Sequence, residues 1–264
     1  MKRIAIVTGA SSGIGRAFLL EVAKHETYDE VWVIGRNEAT LKALEADVHM
    51  PIRPFVLDLS DPSALVAIKN ALAAEEVAVA LLVNAAGFGL FNHTEVMKAE
   101  QILEMTRLNC ETPVALISIA LPYIEKGGAI VNIASCAAFQ PIPYINAYAA
   151  TKAYILSYSR GLNRELRYRD IHVLAVTPFW TKTKFFDRAV NDGEKKVVIR
   201  YAAMYDPEKV MKRAYRDLKK GKDVSVYGAK NRFQRFLVKV LPHSLVMRVW
   251  MRQQKLDGTP EIRK

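Results

Sequence analysis

Short apolar runs alternate with stretches of helical periodicity from the first residues of the chain onward. Residues 3–8, 31–34, 54–57, 79–83, 128–134, 172–177 and 223–227 read as strands. Segments 15–25, 39–46, 62–72, 98–123, 147–167 and 207–220 read as helices. Strands that are apolar on both faces and separated by helices require a parallel sheet covered on both sides. Right-handed crossovers then dictate a doubly wound α/β sheet of about seven strands. With 264 residues the chain can bury a full core. Residues 1–228 are expected to form one domain, and residues 229–264 a helical extension with no core of its own.

The first strand runs straight into Thr8-Gly9-Ala10-Ser11-Ser12-Gly13-Ile14-Gly15. Glycines let the backbone turn tightly and approach a pyrophosphate, and the helix that follows offers free N–H groups to that anion. Directly after an N-terminal strand, this spacing marks Gly9, Ser11, Ser12, Gly13, Ile14 and Gly15 as the dinucleotide cradle of a Rossmann-type fold. Such sites carry a specificity residue about 20 positions further on, at the end of the second strand. That place holds Gly35-Arg36. A carboxylate there would accept from the ribose hydroxyls and repel a 2′-phosphate. Glycine leaves room, and the guanidinium fork of Arg36 matches a phosphate. The expected cofactor is NADP(H), with Arg16 adding positive charge.

Tyr148 and Lys152 fall inside the helical segment 147–167, four residues apart and therefore on one face. A nearby lysine cation favours the phenolate, and a phenol so tuned can give a proton to an alkoxide or take one from an alcohol. Ser135 lies just past the fifth strand, where ligands of such sheets bind, and its hydroxyl can reach a substrate oxygen. The five histidines and two cysteines are scattered, so no metal is expected.

Together with the glycine-rich turn, these residues resemble the short-chain dehydrogenase/reductase family over about residues 3–228. The resemblance implies an oxidoreductase acting on CH–OH groups. It assigns the adenine contact to Asp58, with Leu59 beside it. Asn84-Ala85-Ala86-Gly87 stands where the family has Asn-Asn-Ala-Gly, with Ala85 replacing the second Asn. Asn109, Ser135, Tyr148 and Lys152 match the catalytic set. Pro178 to Thr183, with Thr181 between, matches Pro-Gly-x-x-x-Thr at the nicotinamide amide, and Phe179 replaces its glycine. The implied mechanism is hydride transfer between nicotinamide C4 and a carbonyl carbon, with Tyr148 as general acid or base. Lys152 would lower the phenol's pKa and hold the ribose, Ser135 would orient the carbonyl, and Asn109 would hold a water behind Lys152. The resemblance also implies a homo-oligomer.

The segment after the sixth strand contains Phe179, Trp180, Phe185, Phe186, Tyr201, Met204 and Tyr205, and the one after Ser135 contains Ala137, Phe139, Ile142 and Tyr144. These side chains suit a large apolar pocket, with about half of the rings packing the lid onto the sheet. The expected substrate is a bulky apolar ketone or secondary alcohol, such as a hydroxysteroid, a bile acid or a fatty ketone. The alternatives are a protein of the same fold that binds cofactor without turnover, as a sensor or scaffold, and a membrane-peripheral protein that acts through its basic tail.

The net charge of +11 is not spread evenly. Residues 1–181 carry 16 Lys+Arg against 18 Asp+Glu, and residues 182–264 carry 22 against 9. A basic tail on a neutral body does not describe a nucleic-acid binder. In the tail, Phe233, Phe236, Leu237, Val240 and Leu241 recur at helical spacing between cations, and a second helix follows Pro242. The stripe is expected first to pack against the protein. Peripheral membrane contact through residues 230–256, or a lid over the pocket, are the other options. No apolar run is long enough for a signal peptide or a membrane span, and cysteines are few, so the expected location is the cytoplasm.

Overall fold

The computed structural model describes residues 1–189, 197–201 and 203–256. Seven strands form a single sheet: β1 (Lys2–Thr8), β2 (Glu30–Gly35), β3 (Ile52–Val56), β4 (Val77–Asn84), β5 (Ile124–Ile133), β6 (His172–Val176) and β7 (Val224–Ser225). Their order is β3-β2-β1-β4-β5-β6-β7, and every pairing is parallel. The winding reverses between β1 and β4, which opens a crevice at their carboxyl ends.

The helices are α1 (Gly13–Ala23), α2 (Glu38–Lys42), α3 (Pro62–Ala74), α4 (Ala99–Thr106), α5 (Thr112–Ala120), α6 (Asn146–Glu165), α7 (Phe185–Ala189), α8 (Pro207–Lys219), α9 (Ala229–Val240) and α10 (His243–Gln253). Local chemistry sets several of their starts. The Asp61 carboxylate accepts from the Ser63 amide, with Pro62 in the first turn of α3, and the Asn37 side chain caps α2 through the Thr40 amide. Alternate residues of β1 feed two cores. Ala5 and Val7 meet α1 and α8 on one side, while Ile4 and Ile6 meet α3 and α5 on the other.

The expected helix over 98–123 is divided. A π-turn at Arg107–Glu111 separates α4 from α5. Pro113 has no N–H to give the Asn109 carbonyl, so the regular ladder cannot run through this point. The third strand begins two residues earlier than expected, because Pro54 sits on the sheet's edge strand, where one side makes no ladder. The last strand shrinks to two residues.

A buried polar relay crosses the middle of the sheet. The Asn84 amide donates to Asn132 Oδ1 at 2.8 Å, the Asn132 amide donates to Ser159 Oγ at 2.9 Å, and the Ser159 hydroxyl donates to the Ile155 carbonyl at 2.6 Å. It links β4 to β5 and β5 to α6. Ser159 lies seven residues, two turns, past Lys152, so the relay also fixes which face of α6 meets β5.

The two C-terminal helices overturn the expected packing of the tail. α9 docks through Asn231 and Val238, and the Arg235 guanidinium lies 4.9 Å over the Phe139 ring. Phe233, Phe236 and Val240 point the other way, into solvent. The rotation is set at the start of the helix, where the Asn231 amide donates to the Tyr227 carbonyl at 2.7 Å. α10 is held by Trp250, whose indole N–H donates to the Pro143 carbonyl, and by Gln254, which bonds the backbone of Ile199 and Arg200. Residues 257–264 of the expected extension lie outside the described residues.

The relay yields a stability prediction. Asn132→Ala strands the Asn84 donor in the core and removes the donor to Ser159, at a cost of about 2–3 kcal/mol. Urea unfolding should show a lowered midpoint with an unchanged slope. An unshifted midpoint would mean that the relay carries no stability.

Candidate active site

The crevice holds a continuous cleft of about 400 Å³. One end is the glycine turn. Gly9 has φ +64°, and a Cβ there would come within 2.9 Å of the Ala85 and Ala86 backbone. A Cβ at Gly15 would overlap the Gly9 carbonyl oxygen. The turn is therefore pressed against the loop after β4 in a way only glycine permits. The Thr8 hydroxyl holds that loop, accepting from the Ala85 and Ala86 amides at 3.0 and 3.1 Å and donating to the Val83 carbonyl. Ser12 opens α1 without a side-chain cap bond, and the first turn contains no acid, so its amides suit an anion. A narrow glycine cradle with these donors fits a dinucleotide pyrophosphate.

Arg36, Asp58 and Leu59 line the same end. The Arg36 guanidinium lies 3.9 Å from Asp58. Ser60 donates to Asp58 from both its hydroxyl and its amide, and these bonds hold the carboxyl below its ordinary range. Arg16 lies outside the cleft lining, with its guanidinium bound by Asp47 at 2.6 Å.

The expected chemical residues converge at the middle of the cleft. Ser135, Tyr148 and Lys152 are all buried and all line it. Ser135 Oγ accepts from the Ala137 amide at 3.1 Å, and the Tyr148 phenol lines the same stretch of the cleft. Lys152 donates to the Ile133 carbonyl at 3.0 Å, with its ammonium 5.7 Å from the centre of the Tyr148 ring. Burial decides both titrations. It drives the Tyr148 pKa up, against the opposing influence of the Ser135 hydroxyl, and it brings Lys152 down to about 8. The expected lowering of the phenol by the lysine does not appear, and desolvation sets the direction of its shift.

The other end of the cleft is aromatic. Phe179, Trp180, Phe185 and Phe186 line it with Ala137 and Ile142, while Tyr201 and Tyr205 stand behind and buttress Trp180 and Phe179. Phe185 packs on Tyr148 at 5.5 Å between ring centres. Phe179, standing where the family has glycine, is wedged edge-on between Trp180 and Tyr205. Pro178, Thr181 and Thr183 also line the cleft, and Thr183 reaches the turn at Gly13.

Four expected residues lie elsewhere. Asn84 belongs to the buried relay. Asn109 lies behind the cleft wall, where its side chain donates to the Phe88 carbonyl and Thr151 Oγ1 and accepts from the Phe88 amide. Both amide hydrogens are thus engaged, and the side chain has no donor left for a water. Phe139 turns to α9, and Tyr144, at φ +68°, packs edge-on against His93. The sequence reading missed Phe91, which touches Tyr148, Trp180 and Phe185. It also missed Arg188, whose guanidinium lies 3.4 Å over Phe88 and bonds both Glu104 oxygens, strapping α7 to α4. No local pattern marks either residue.

The profile of the short chain dehydrogenase family matches residues 3–194. The chain belongs to that family and is an oxidoreductase. Hydroxysteroid dehydrogenase-like protein 1 of Gallus gallus is 32% identical over 193 residues, 69% of this chain and 56% of that protein. A very-long-chain 3-oxoacyl-CoA reductase-like protein of Arabidopsis thaliana is 30% identical over 254 residues, 92% of this chain and 78% of its own. Among solved structures, a short-chain dehydrogenase from Sphingobium yanoikuyae in complex with NADPH superposes with a TM-score of 0.76 at 25% identity, covering 99% of this chain and 98% of that one.

Two thiols report on burial, Cys136 on the cleft lining and Cys110 outside it. Burial pushes Cys110 up to about 11 and Cys136, next to Ser135, up to about 12. At pH 8 both should react with a disulfide reagent about 100-fold more slowly in the native protein than in denaturant. Fast native labelling of Cys136 would show that water reaches Ser135 freely.

Proposed function

We propose that the protein is an NADP(H)-dependent oxidoreductase that interconverts a bulky apolar secondary alcohol and its ketone. One observation carries this reading. The Tyr148–Ser135–Lys152 cluster sits where a glycine cradle and an aromatic chamber meet in one cleft. The Gly9–Gly15 turn would hold the pyrophosphate, Arg36 a 2′-phosphate and Asp58 the adenosine end. The nicotinamide, when bound, supplies or accepts the hydride.

This chain's own residues do the rest. Ser135 gives the substrate oxygen a hydrogen bond and fixes its distance from the phenol. Tyr148 delivers a proton to that oxygen in reduction and withdraws it in oxidation. Lys152, anchored on the Ile133 carbonyl, places positive charge under the phenol ring and the ribose side of the cleft. Asn109 ties the loop after β4 to α6 and so positions Lys152 and Tyr148. Phe91, Phe179, Trp180, Phe185 and Phe186 exclude water and offer apolar surface with few polar groups, which favours a hydroxysteroid or fatty acyl ketone over a sugar. A silent cofactor sensor would have no physical use for Ser135, Tyr148 and Lys152 converging, all buried, on one stretch of the cleft.

The test is a nicotinamide absorbance assay across bulky and small ketones and alcohols, with NADPH and NADH in parallel. Turnover should appear with NADPH on bulky apolar substrates. Tyr148→Phe should lower it by about 10²–10⁴-fold while cofactor binding persists. Binding of NADPH without turnover on any carbonyl would favour the sensor.

Lys152 adds a pH dependence. Its cation favours an anionic cofactor and is lost as pH rises through about 8. Affinity for NADPH should therefore decline above that pH in the wild type and stay flat in Lys152→Met. Titrations of binding at pH 6 to 10 would show a level wild-type profile if the lysine plays no part.

A further inference from the structure

The C-terminal helices present an apolar ridge that none of the described residues covers. Phe233, Phe236 and Val240 are 62%, 59% and 58% exposed, and their spacing puts them on one stripe of α9. Leu241, Leu245 and Val249 continue the exposed apolar surface around the Pro242 corner onto α10. The opposite face of α9, at Asn231 and Val238, already holds the helix to the body, so the stripe is not a core face awaiting its partner. Charge surrounds the ridge. Residues 229–256 contain seven Lys and Arg and no Asp or Glu, and Arg232 and Lys239 flank the stripe from exposed positions.

We propose that this ridge seats the protein on an anionic lipid bilayer. Phe233, Phe236 and Val240 enter the boundary between headgroups and acyl chains, and the flanking cations meet the lipid phosphates. The seat is peripheral, since no helix among the described residues is long and apolar enough to cross a membrane. Charge argues against a second copy as the occupant. A two-fold contact lays the patch on itself, cation against cation, with no carboxylate in the segment to compensate. A nucleic acid would engage the cations but leave Val240, Leu241, Leu245 and Val249 in water.

The experiment is co-sedimentation of the full chain with phosphatidylcholine vesicles, with and without phosphatidylglycerol, at low and high salt. Partitioning should be about tenfold or more stronger on the anionic vesicles and should weaken with salt. The double substitution Phe233→Glu and Phe236→Glu should lower it by about tenfold or more. Both positions are exposed, so circular dichroism and melting temperature should not change. Arg232→Gln with Lys239→Gln should reduce the preference for anionic lipid. Three results would overturn the proposal. One is no partitioning at low salt. Another is a dimer, seen by light scattering, that the Phe→Glu pair dissolves while vesicles remain unbound. The third is oligonucleotide binding that the Phe→Glu pair leaves intact and that exceeds vesicle binding.

Discussion

The buried hydrogen bonds between Asn84, Asn132 and Ser159 decide where everything at the mouth of the sheet stands. A parallel sheet that is apolar on both faces has a weakly specified register, because a slip exchanges one greasy side chain for another. A polar pair buried between strands removes that freedom, since any slip leaves amide groups unpaired in the core. Asn84 and Asn132 are register partners on β4 and β5. Counting three residues on from each reaches Gly87 and Ser135, which line the cleft. Ser159 passes the same constraint to α6, two turns from Lys152. The Thr8 hydroxyl pins β1 to the loop after β4. The cradle and the chemical cluster are thus set by bonds that never touch a ligand.

The same dryness governs the electrostatics. Burial favours the neutral phenol at Tyr148 and the neutral amine at Lys152, and it raises both thiols. A phenol kept protonated is suited to giving a proton away, while a lysine near the edge of its charged range responds to an anion placed beside it. Position, supplied by the Ala137 amide at Ser135 and the Ile133 carbonyl at Lys152, is what this part of the protein contributes most directly.

Most of the architecture was legible because alternation of apolar runs with helical periodicity is a local property of the chain. The cradle and the Ser135, Tyr148 and Lys152 cluster were legible because their spacings carry their geometry. What the sequence did not show was direction. Asn84 and Asn109 stand at the expected places, but their amides turn into the protein, where β5, α6 and the loop after β4 offer partners. Arg16 finds Asp47, 31 residues away, instead of the cleft. Phe139 is claimed by Arg235 of α9, and Arg188 by Glu104 of α4, through contacts that no spacing encodes. The tail shows the limit most clearly. Its stripe is plain in the sequence, yet a stripe says only that one face is apolar. The Asn231 and Val238 contacts turn that face outward.

That outward turn gives the uneven charge a physical sense. The first 181 residues are slightly acidic, and the remaining third holds the whole positive excess. Residues 229–256 carry seven of its cations and no acid, so an anionic surface would draw that end of the chain toward it and orient it before any apolar group is buried. The oriented end is also joined to the cleft. Trp250 of α10 stacks on Trp180 at 6.5 Å, and Trp180 lines the aromatic chamber. A ridge seated in lipid would therefore place the lid's own support at the bilayer. There the apolar ketones and alcohols that suit the chamber are concentrated, and water is already partly excluded from the path to Tyr148.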